Sequence, residues 1–506
     1  MSGGFVDATH DGLPLEEADY IVVGSGAGGG AAARVLALAG HHVAVLEEGP
    51  PFSPAEAGLL AEDTMERYLR HRGQVSVLGR VAIPLLQARC VGGTTTVNSA
   101  IIWRLPESVL RAWDEEHGVG QGLPESALVR AYEMIETEMS VRPVSPLLAS
   151  RSDQLMHAGA ERAGLAHRPI HRSERGCRGS GRCFHGCPNN AKQSTAINFL
   201  RRAAEHGAHV VAHAGVSRVL LEGDRAVGVQ GQVGGGGPAR GRRFRLRARR
   251  GVIVSAGVVQ SAMLLHRSGV ARGCEALGEH FMAHPGSTVI GLYDEPVRMW
   301  SGASQGHEVI GLRDTLGVKL ETINVPPEIL ASRLPGAGQR FRQYLEQLDH
   351  LAAWAVAVRM QARGVARPAP LLGGARVHYT PEPHDMYRLR EGMRRCAELH
   401  FLAGARQVLS GIHGMPPVLY SPDELRYYDE ATLDPRAYHM VATHLFGTCR
   451  MGRDPRTSVV DPFLRVHGTR GLYVMDASVF PSNTGVNPQH GIMAVAIVAA
   501  ERLAAA

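Results

Sequence analysis

Lysine is almost absent from this chain of 506 residues. Only Lys192 and Lys319 stand among its 54 basic residues, and all the others are arginines. The arginines are scattered along the chain, although the formal net charge is +6. Because a nucleic-acid-binding protein gathers its cations on one face or along one helix, this pattern argues against a nucleic-acid partner.

Long apolar runs are missing as well. No uninterrupted hydrophobic segment reaches the ~18 residues that a membrane-spanning helix needs, and residues 1–20 lack the basic and apolar parts of a signal peptide. Seven cysteines, an odd number, fit free thiols better than a disulfide framework. These absences predict a cytoplasmic protein with no transmembrane segment.

The length and composition are those of a large globular protein. The chain is longer than one hydrophobic core usually supports, so we expect two packed domains. The content of 44% hydrophobic and 20% charged residues is ordinary for a folded protein. Such a chain is large enough to bury a sizeable cofactor.

A glycine-rich turn, GSGAGGG at 24–30, follows the apolar run 19–23 and opens an Ala/Leu-rich helix. In this pattern Gly24 permits the tight turn and Gly26 lets the backbone approach a pyrophosphate. Gly29 lets the helix pack closely on the strand. The order of strand, glycine turn and helix predicts a dinucleotide-binding site.

The start of this helix and the next strand complete the pattern. Ala27 lies where free backbone N–H groups and the helix dipole favour a phosphate. The second strand, 42–46, ends at Glu47, at the spacing expected for an acid that binds the ribose hydroxyls. These residues are equally compatible with FAD and with NAD.

Later motifs distinguish the two cofactors through a resemblance to a known family. The motifs are GGTTTVN at 92–98, HLFGTCRMG at 444–452, VVDPFLRV at 459–466, LYVMDASVFP at 472–481 and VNP at 486–488. In this order and spacing the chain resembles the glucose-methanol-choline (GMC) family of FAD-dependent oxidoreductases, especially its long-chain alcohol oxidase-like branch. The resemblance implies that FAD is the cofactor.

The resemblance also implies a fold and a set of cofactor contacts. We expect an α/β protein with a Rossmann-like FAD-binding domain, similar to p-hydroxybenzoate hydroxylase, formed by 15–170, 195–285 and 440–506. A substrate domain of mixed sheet and helices is expected over 286–439, and a cysteine-containing loop over 171–194. Besides the glycine turn and Glu47, the cofactor residues implied by the family are Gly92, Gly93, Thr94, Asn98, Val216, Asp476, Ala477, Asn487 and Pro488.

Oxidation of an alcohol requires a group that accepts the hydroxyl proton while the hydride leaves for flavin N5, and imidazole has a suitable pKa. By resemblance His444 is the general base and Asn487 orients the substrate oxygen. The family branch implies an apolar or aromatic alcohol as substrate, with O₂ or another electron acceptor. An FAD-containing lyase of the same family is the alternative, and the oligomeric state stays open.

Three of the seven cysteines, Cys177, Cys183 and Cys187, lie within eleven positions. We expect them to be free thiols in a glycine-rich loop. The alternatives are that they ligate an iron–sulfur cluster or zinc, or that two of them form a disulfide. Similar runs occur in iron–sulfur-bearing dehydrogenases that pass electrons to a partner, whereas GCPxxAKxS also resembles the alcohol oxidase branch. The expected loop therefore holds no metal.

Two positions near the C-terminus depart from the family pattern. His490 is an additional histidine that could either contact the substrate or simply pack. Gly491 stands where the family usually has threonine, which removes a hydroxyl expected beside the flavin.

Overall fold

The computed structural model describes residues 3–56, 60–234, 241–270, 274–369 and 374–505, so Ala506, at the end of the predicted 440–506 segment, lies outside the described residues. The strands are β1 (Gly4–Asp7), β2 (Glu17–Val23), β3 (Val43–Leu46), β4 (Val75–Val77), β5 (Ile83–Leu85), β6 (Val141–Pro143), β7 (His167–Pro169), β8 (His171–Ser173), β9 (His209–Ala212), β10 (Ala214–Glu222), β11 (Arg225–Val233), β12 (Arg243–Val254), β13 (Met282–Leu292), β14 (His307–Val309), β15 (Val318–Thr322), β16 (Leu351–Val358), β17 (Val365–Ala369), β18 (Gly374–His378), β19 (Gln407–Leu409), β20 (Val418–Leu419), β21 (Val441–Phe446) and β22 (Leu472–Val474). The α-helices are α1 (Ala8–Asp11), α2 (Ala27–Leu38), α3 (Ala61–Tyr68), α4 (Thr94–Val97), α5 (Glu107–His117), α6 (Glu125–Glu138), α7 (Arg151–Arg162), α8 (Phe199–Glu205), α9 (Val258–Ser268), α10 (Arg313–Leu316), α11 (Pro327–Ala331), α12 (Gly338–Glu346), α13 (Pro383–Leu402), α14 (Arg426–Glu430) and α15 (Gln489–Ala505).

The first sheet has eight strands in the order β1-β9-β3-β2-β12-β11-β10, with β22 beside β12. Strands β9, β3, β2, the end of β12 and β22 run parallel, and α2 packs against both α8 and α15. The paired parts of β2 and β3 are almost wholly buried, as the apolar runs of a covered parallel sheet require. The predicted α/β fold with a Rossmann-like domain is confirmed.

This topology gathers the predicted cofactor residues. Parallel strands present their carboxyl ends at one edge, and ligands of open α/β sheets bind there. β2 ends before Gly24, β3 ends before Glu47, and β22 ends shortly before Asp476. Residues separated by more than 400 positions therefore meet at one edge of the sheet.

The second sheet has ten strands, of which eight follow the order β4-β5-β21-β13-β16-β15-β14-β7, and β19 and β20 extend it beside β13. In β16, LAAWAVAV, Trp354 and Val356 are fully buried, whereas alanines at alternate positions line a cavity on the other face. Helix α13 packs against β13, β15 and β16. The small residues of β16 leave space between this sheet and the first domain.

The strands of the second sheet do not come only from the predicted substrate segment 286–439. Strands β4, β5, β7 and β21 lie in segments predicted for the FAD-binding domain, and the boundary between 285 and 286 falls inside β13. One continuous strand thus serves both sides of that boundary, and the division of the chain into domains stays a prediction. Among the described residues, no helix combines the length and apolar character needed to cross a membrane.

Candidate active site

The glycine turn after β2 is shaped by close backbone contacts. Gly24 has φ +97°, a left-handed value that favours glycine, and a β-carbon there would lie 2.3 Å from the Ser255 oxygen. A β-carbon on Gly29 would lie 2.0 Å from the Gly24 oxygen, so α2 packs directly on the turn. A β-carbon on Gly26 would meet only the Gly93 α-carbon, at 4.0 Å, so there is room for a ligand beside this residue. The turn has the shape that a pyrophosphate needs at the start of α2.

Glu47 follows β3, and its carboxylate braces the turn. One carboxylate oxygen accepts hydrogen bonds from the Ser25 backbone N–H (3.1 Å) and hydroxyl (2.6 Å), and the other accepts from the Gly49 N–H (3.0 Å). The Ser25 hydroxyl accepts from the Gly92 N–H at 2.9 Å, which joins the turn to segment 92–98. Glu47 also lines the cavity described next. Its contact with the ribose stays a prediction.

A cavity of about 1310 Å³ extends from the glycine turn to the second sheet. It is lined by most of the predicted site residues, namely Gly24, Gly26, Ala27, Glu47, Gly93, Thr94, Asn98, Val216, Asp476, Ala477, Asn487, Pro488 and His444. Gly29 and Gly92 are not among its lining residues. A cavity of this size, with a helix N-terminus at one end and histidines at the other, fits a dinucleotide together with a substrate.

Asp476 and Asn98 are held in place by neighbouring groups. The Asp476 carboxylate accepts from the backbone N–H groups of Gly257 (2.9 Å) and Ser478 (2.8 Å), and burial raises its pKa despite these bonds. The buried ammonium of Lys192 donates to the backbone oxygens of Asn98 (2.8 Å) and Cys183 (2.7 Å). Lys192 therefore ties the cysteine loop to the cofactor side of the cavity.

A β-bulge brings two histidines together at the other end of the cavity. In the pairing of β13 with β21 the register shifts between Ala283 and Pro285, so His284 faces two residues of β21, Thr443 and His444. Proline has no N–H to give to the ladder, and a bulge is where a sheet accommodates it. Bulges also redirect side chains. Here the two imidazole rings lie 5.2 Å apart between centroids, and both line the cavity.

The contact between His284 and His444 determines which nitrogen of each ring carries a proton. Their Nδ1 atoms lie 3.1 Å apart, so one ring must carry its proton on Nδ1 and the other must accept there. When His444 donates, its Nε2 has a free lone pair that can take up a proton. Burial, reinforced by the Lys319 cation, lowers the pKa of His444 to about 3, and burial followed by the His444 charge lowers that of His284. Both imidazoles are therefore neutral at pH 7.

Lys319 lies in a buried charged cluster beside these histidines. In β15 the side chains alternate, and Val318 and Leu320 pack in the core while Lys319 and Glu321 point to the opposite face. The Lys319 ammonium is 3.0 Å from a Glu308 oxygen and also contacts the Glu321 carboxylate. Although burial lowers the pKa of this lysine, the two carboxylates outweigh burial and raise it. Lys319 therefore stays charged.

The same ammonium fixes the orientation of Asn487. Lys319 Nζ lies 2.6 Å from Asn487 Oδ1. An ammonium has three donors and no acceptor, so the amide oxygen must face Lys319. The Nδ2 group of Asn487 is then free to donate to a substrate oxygen. Lys319 and His284 are the site residues that sequence reasoning missed.

Several buried and half-buried histidines make the stability of the fold sensitive to acid. Burial lowers the pKa of His444 and His400 to about 3, and that of His280, His307 and His490 to about 4. The ordinary value is 6.5, so between pH 6.5 and 4 the unfolded chain binds more protons than the folded one.

Stability is therefore complete above pH 6.5 and falls as the pH drops below it, by at most about 1.4 kcal/mol per pH unit for each such histidine. Urea unfolding of the holoprotein at pH 7.5, 6 and 5 would measure this loss. An unfolding free energy that does not change between pH 7.5 and 5 would contradict the buried neutral state of these rings.

The three cysteines of the loop have separate partners. The Sγ atom of Cys183 accepts from the Arg172 guanidinium at 3.1 Å, and that of Cys187 accepts from the Ala191 N–H at 3.2 Å. All three are free thiols, and their sulfurs do not form a group within 4.8 Å of one another. Burial would raise the pKa of Cys183, but the Arg172 and Lys192 cations lower it. That this loop holds no metal stays a prediction.

The two unusual C-terminal residues have packing roles. His490 is fully buried and is not among the residues that line the cavity; its ring meets Tyr132 edge-on at 4.6 Å between centroids. A β-carbon on Gly491 would lie 2.7 Å from the Leu105 side chain. Leu105 therefore occupies the space that a threonine would need at this position.

A parallel sheet with a dinucleotide-sized cavity at its carboxyl edge, covered by a second sheet that supplies histidines, is the arrangement of an oxidoreductase that binds a dinucleotide cofactor. The chain belongs to the GMC oxidoreductase family, whose N-terminal model matches residues 18–286 and whose C-terminal model matches residues 369–496. FAD is its cofactor.

Known proteins resemble the chain over nearly its whole length. An uncharacterized GMC-type oxidoreductase of Mycobacterium tuberculosis is 35% identical over 498 residues, which cover 98% of this chain and 77% of the relative. A long-chain-alcohol oxidase of Arabidopsis thaliana is 25% identical over 534 residues, 99% of this chain and 69% of the relative. The structure of a formate oxidase of Aspergillus oryzae, studied for its FAD modification, superposes with a TM-score of 0.74 at 16% identity, covering 97% of this chain and 98% of that one. These matches confirm the predicted family and fold.

Proposed function

We propose that the protein oxidises an alcohol to a carbonyl compound, with His444 as the general base. The observation that carries the proposal is that a neutral imidazole and an amide with a free donor line the same cofactor-sized cavity, and that both interact with Lys319. His444 and Asn487 supply these two groups. Bound FAD supplies the hydride acceptor.

Side chains of the protein bind the substrate and accept its proton. The substrate hydroxyl donates its proton to Nε2 of His444, while its oxygen accepts a hydrogen bond from Nδ2 of Asn487. His284 holds the His444 ring so that Nδ1 carries the existing proton and Nε2 can receive the new one. Lys319 positions the Asn487 amide, and its charge opposes protonation of His444 in the resting enzyme.

We propose a hydrophobic alcohol as the substrate. The part of the cavity wall contributed by the second sheet and the segments around it carries many apolar side chains, among them Ile290, Ile323, Val325, Leu330, Leu334, Ala353, Ala355, Ala357 and Met415. Small residues on β16 leave room for a chain or ring. The similarity to a long-chain-alcohol oxidase supports the same substrate class.

Ala355 offers a test of this pocket. It faces Thr288 on one neighbouring strand and Glu321 on the other, and it lines the cavity. Ala355→Trp is expected to lower kcat/KM for long-chain or aromatic alcohols at least about tenfold, because an indole fills the space above β16 that the substrate would occupy. The FAD content should not change.

Steady-state oxidation of a series of primary alcohols of increasing length would measure the effect. Ala355→Ser is the matched control, because it keeps the cavity open. Equal kcat/KM values for Ala355→Trp and Ala355→Ser across the series would place the substrate elsewhere.

The electron acceptor follows from the same assay. Hydrogen peroxide formed in equal amount to the carbonyl product would identify an oxidase. Turnover only with an added dye acceptor would identify a dehydrogenase, the alternative that the cysteine loop raised.

A further inference from the structure

Three imidazoles converge at an edge of the second sheet, outside the cavity. They belong to His157 on α7, His167 on β7 and His307 on β14. One ring nitrogen from each lies within 4.8 Å of the other two, and in the described part of the chain no other group of three His, Cys, Asp or Glu side chains meets this distance. His167 Nδ1 and His307 Nε2 are 2.9 Å apart. None of the three residues lines the cavity.

The fold brings these rings together through regular elements. β7 pairs antiparallel with β14 so that His167 lies opposite Val309, two residues from His307. Positions two apart on a strand share a face, and diagonal neighbours in adjacent strands are within reach of one another. Helix α7 contacts both strands and places His157 over them. The ring of His157 meets those of His167 and His307 edge-on, at 4.9 and 5.4 Å between centroids.

A carboxylate completes the arrangement around His167. The Glu161 carboxylate, one turn after His157 on α7, lies 2.8 Å from His167 Nε2. Nε2 therefore carries the proton and donates it to Glu161, which leaves the lone pair of Nδ1 facing the other two rings. A carboxylate behind a histidine in this way is the usual outer support of a metal-binding imidazole.

The hydrogen bond between His307 and His167 can give way to a cation. In the absence of a cation, Nε2–H of His307 donates to Nδ1 of His167. When a cation binds, the His307 proton moves to Nδ1, and Nε2 becomes a ligand without net release of a proton.

We propose that His157, His167 and His307 form a binding site for Zn²⁺ or a similar divalent transition metal ion. Three imidazoles supply three of the four ligands that zinc takes, and His157 is exposed, so water can supply the fourth. The ion would join α7 to β7 and β14. His307 is adjacent in sequence to Glu308, the partner of Lys319, so the site stiffens the strand that carries part of the buried charged cluster.

The test is calorimetric titration of the holoenzyme with ZnCl₂ after removal of metals with EDTA. We expect the parent protein to bind one Zn²⁺ per chain. His157→Ala should bind this ion at least tenfold more weakly. Because His157 lies at the surface, its replacement is compatible with folding. His206→Ala, at an exposed histidine whose ring hydrogen-bonds to the Arg202 backbone oxygen, is the matched control and should bind like the parent. The free cysteines are unchanged in all three proteins, so any zinc that they bind does not affect the comparison.

Thermal unfolding gives a second readout that does not depend on activity. ZnCl₂ should raise the Tm of the parent and of His206→Ala, and it should raise that of His157→Ala less. Equal zinc affinity in His157→Ala and the parent would overturn the proposal. So would the absence of zinc binding by the parent, since the three rings would then form only a hydrogen-bonded cluster.

Discussion

Replacement of His444 by glutamine is expected to slow reduction of the bound flavin by an alcohol by about 10²–10⁴-fold. Glutamine keeps polar atoms near the Asn487 end of the cavity but cannot accept the substrate proton. FAD should remain bound, because the glycine turn and Glu47 lie at the other end of the cavity. Anaerobic stopped-flow measurement of the flavin absorbance at pH 7.5 would give the rate directly.

The matched control is His439→Gln, at an exposed histidine that lines the same cavity. The flavin of this variant should be reduced within about threefold of the parent rate, since His439 is exposed and has no hydrogen bond to the buried charged cluster around Lys319. A parent-like rate for His444→Gln would remove His444 as the base.

Lys319→Met should have the largest effect on stability. It removes the cation from between the buried carboxylates of Glu308 and Glu321. Glu308 keeps its ion pair with Arg168, but the Glu321 carboxylate loses its cation, and loss of one partner from a buried ion pair costs ~3–5 kcal/mol. The variant should also react more slowly, since the Asn487 amide loses the donor that fixes its orientation.

Urea unfolding at pH 7.5 would measure the loss of stability in Lys319→Met. The double variant Lys319→Met/Glu321→Gln removes one of the stranded carboxylates and should recover part of that loss. If Lys319→Met has the same unfolding free energy as the parent, the charges of Lys319, Glu308 and Glu321 are not coupled. Recovery of stability without recovery of the reduction rate would assign the lost activity to Asn487.

Much of the cofactor side could be predicted from the sequence because it depends on local patterns. The turn from Gly24 to Gly29 needs particular residues at fixed spacing, and Glu47 follows the next strand of the same unit. Asp476 and Asn487 could be placed only through the family resemblance, since nothing local indicates that either lies in the same cavity as Gly24. The parallel pairing of β2, β12 and β22 brings Asp476 to the edge of the sheet where Gly24 lies.

The substrate side was harder to predict because it depends on long-range pairing. His284 and His444 meet only through the bulge between β13 and β21, although a proline at 285 inside an apolar strand is a signal for such an irregularity. Lys319 lies between strands whose order the sequence does not reveal. The rarity of lysine is the available signal: both lysines of the chain are buried and hydrogen-bonded, whereas arginine is used in place of lysine at the surface.

Anaerobic titration of the purified holoprotein with a panel of alcohols tests the central claim most directly. The proposal predicts that at least one hydrophobic alcohol bleaches the flavin absorbance, with one carbonyl product formed per flavin reduced, and that His444→Gln slows this reaction. If the flavin absorbance persists with every alcohol of a panel from short aliphatic to long-chain and aromatic, the protein is not an alcohol oxidoreductase. The lyase alternative, in which FAD is not reduced, would then be favoured.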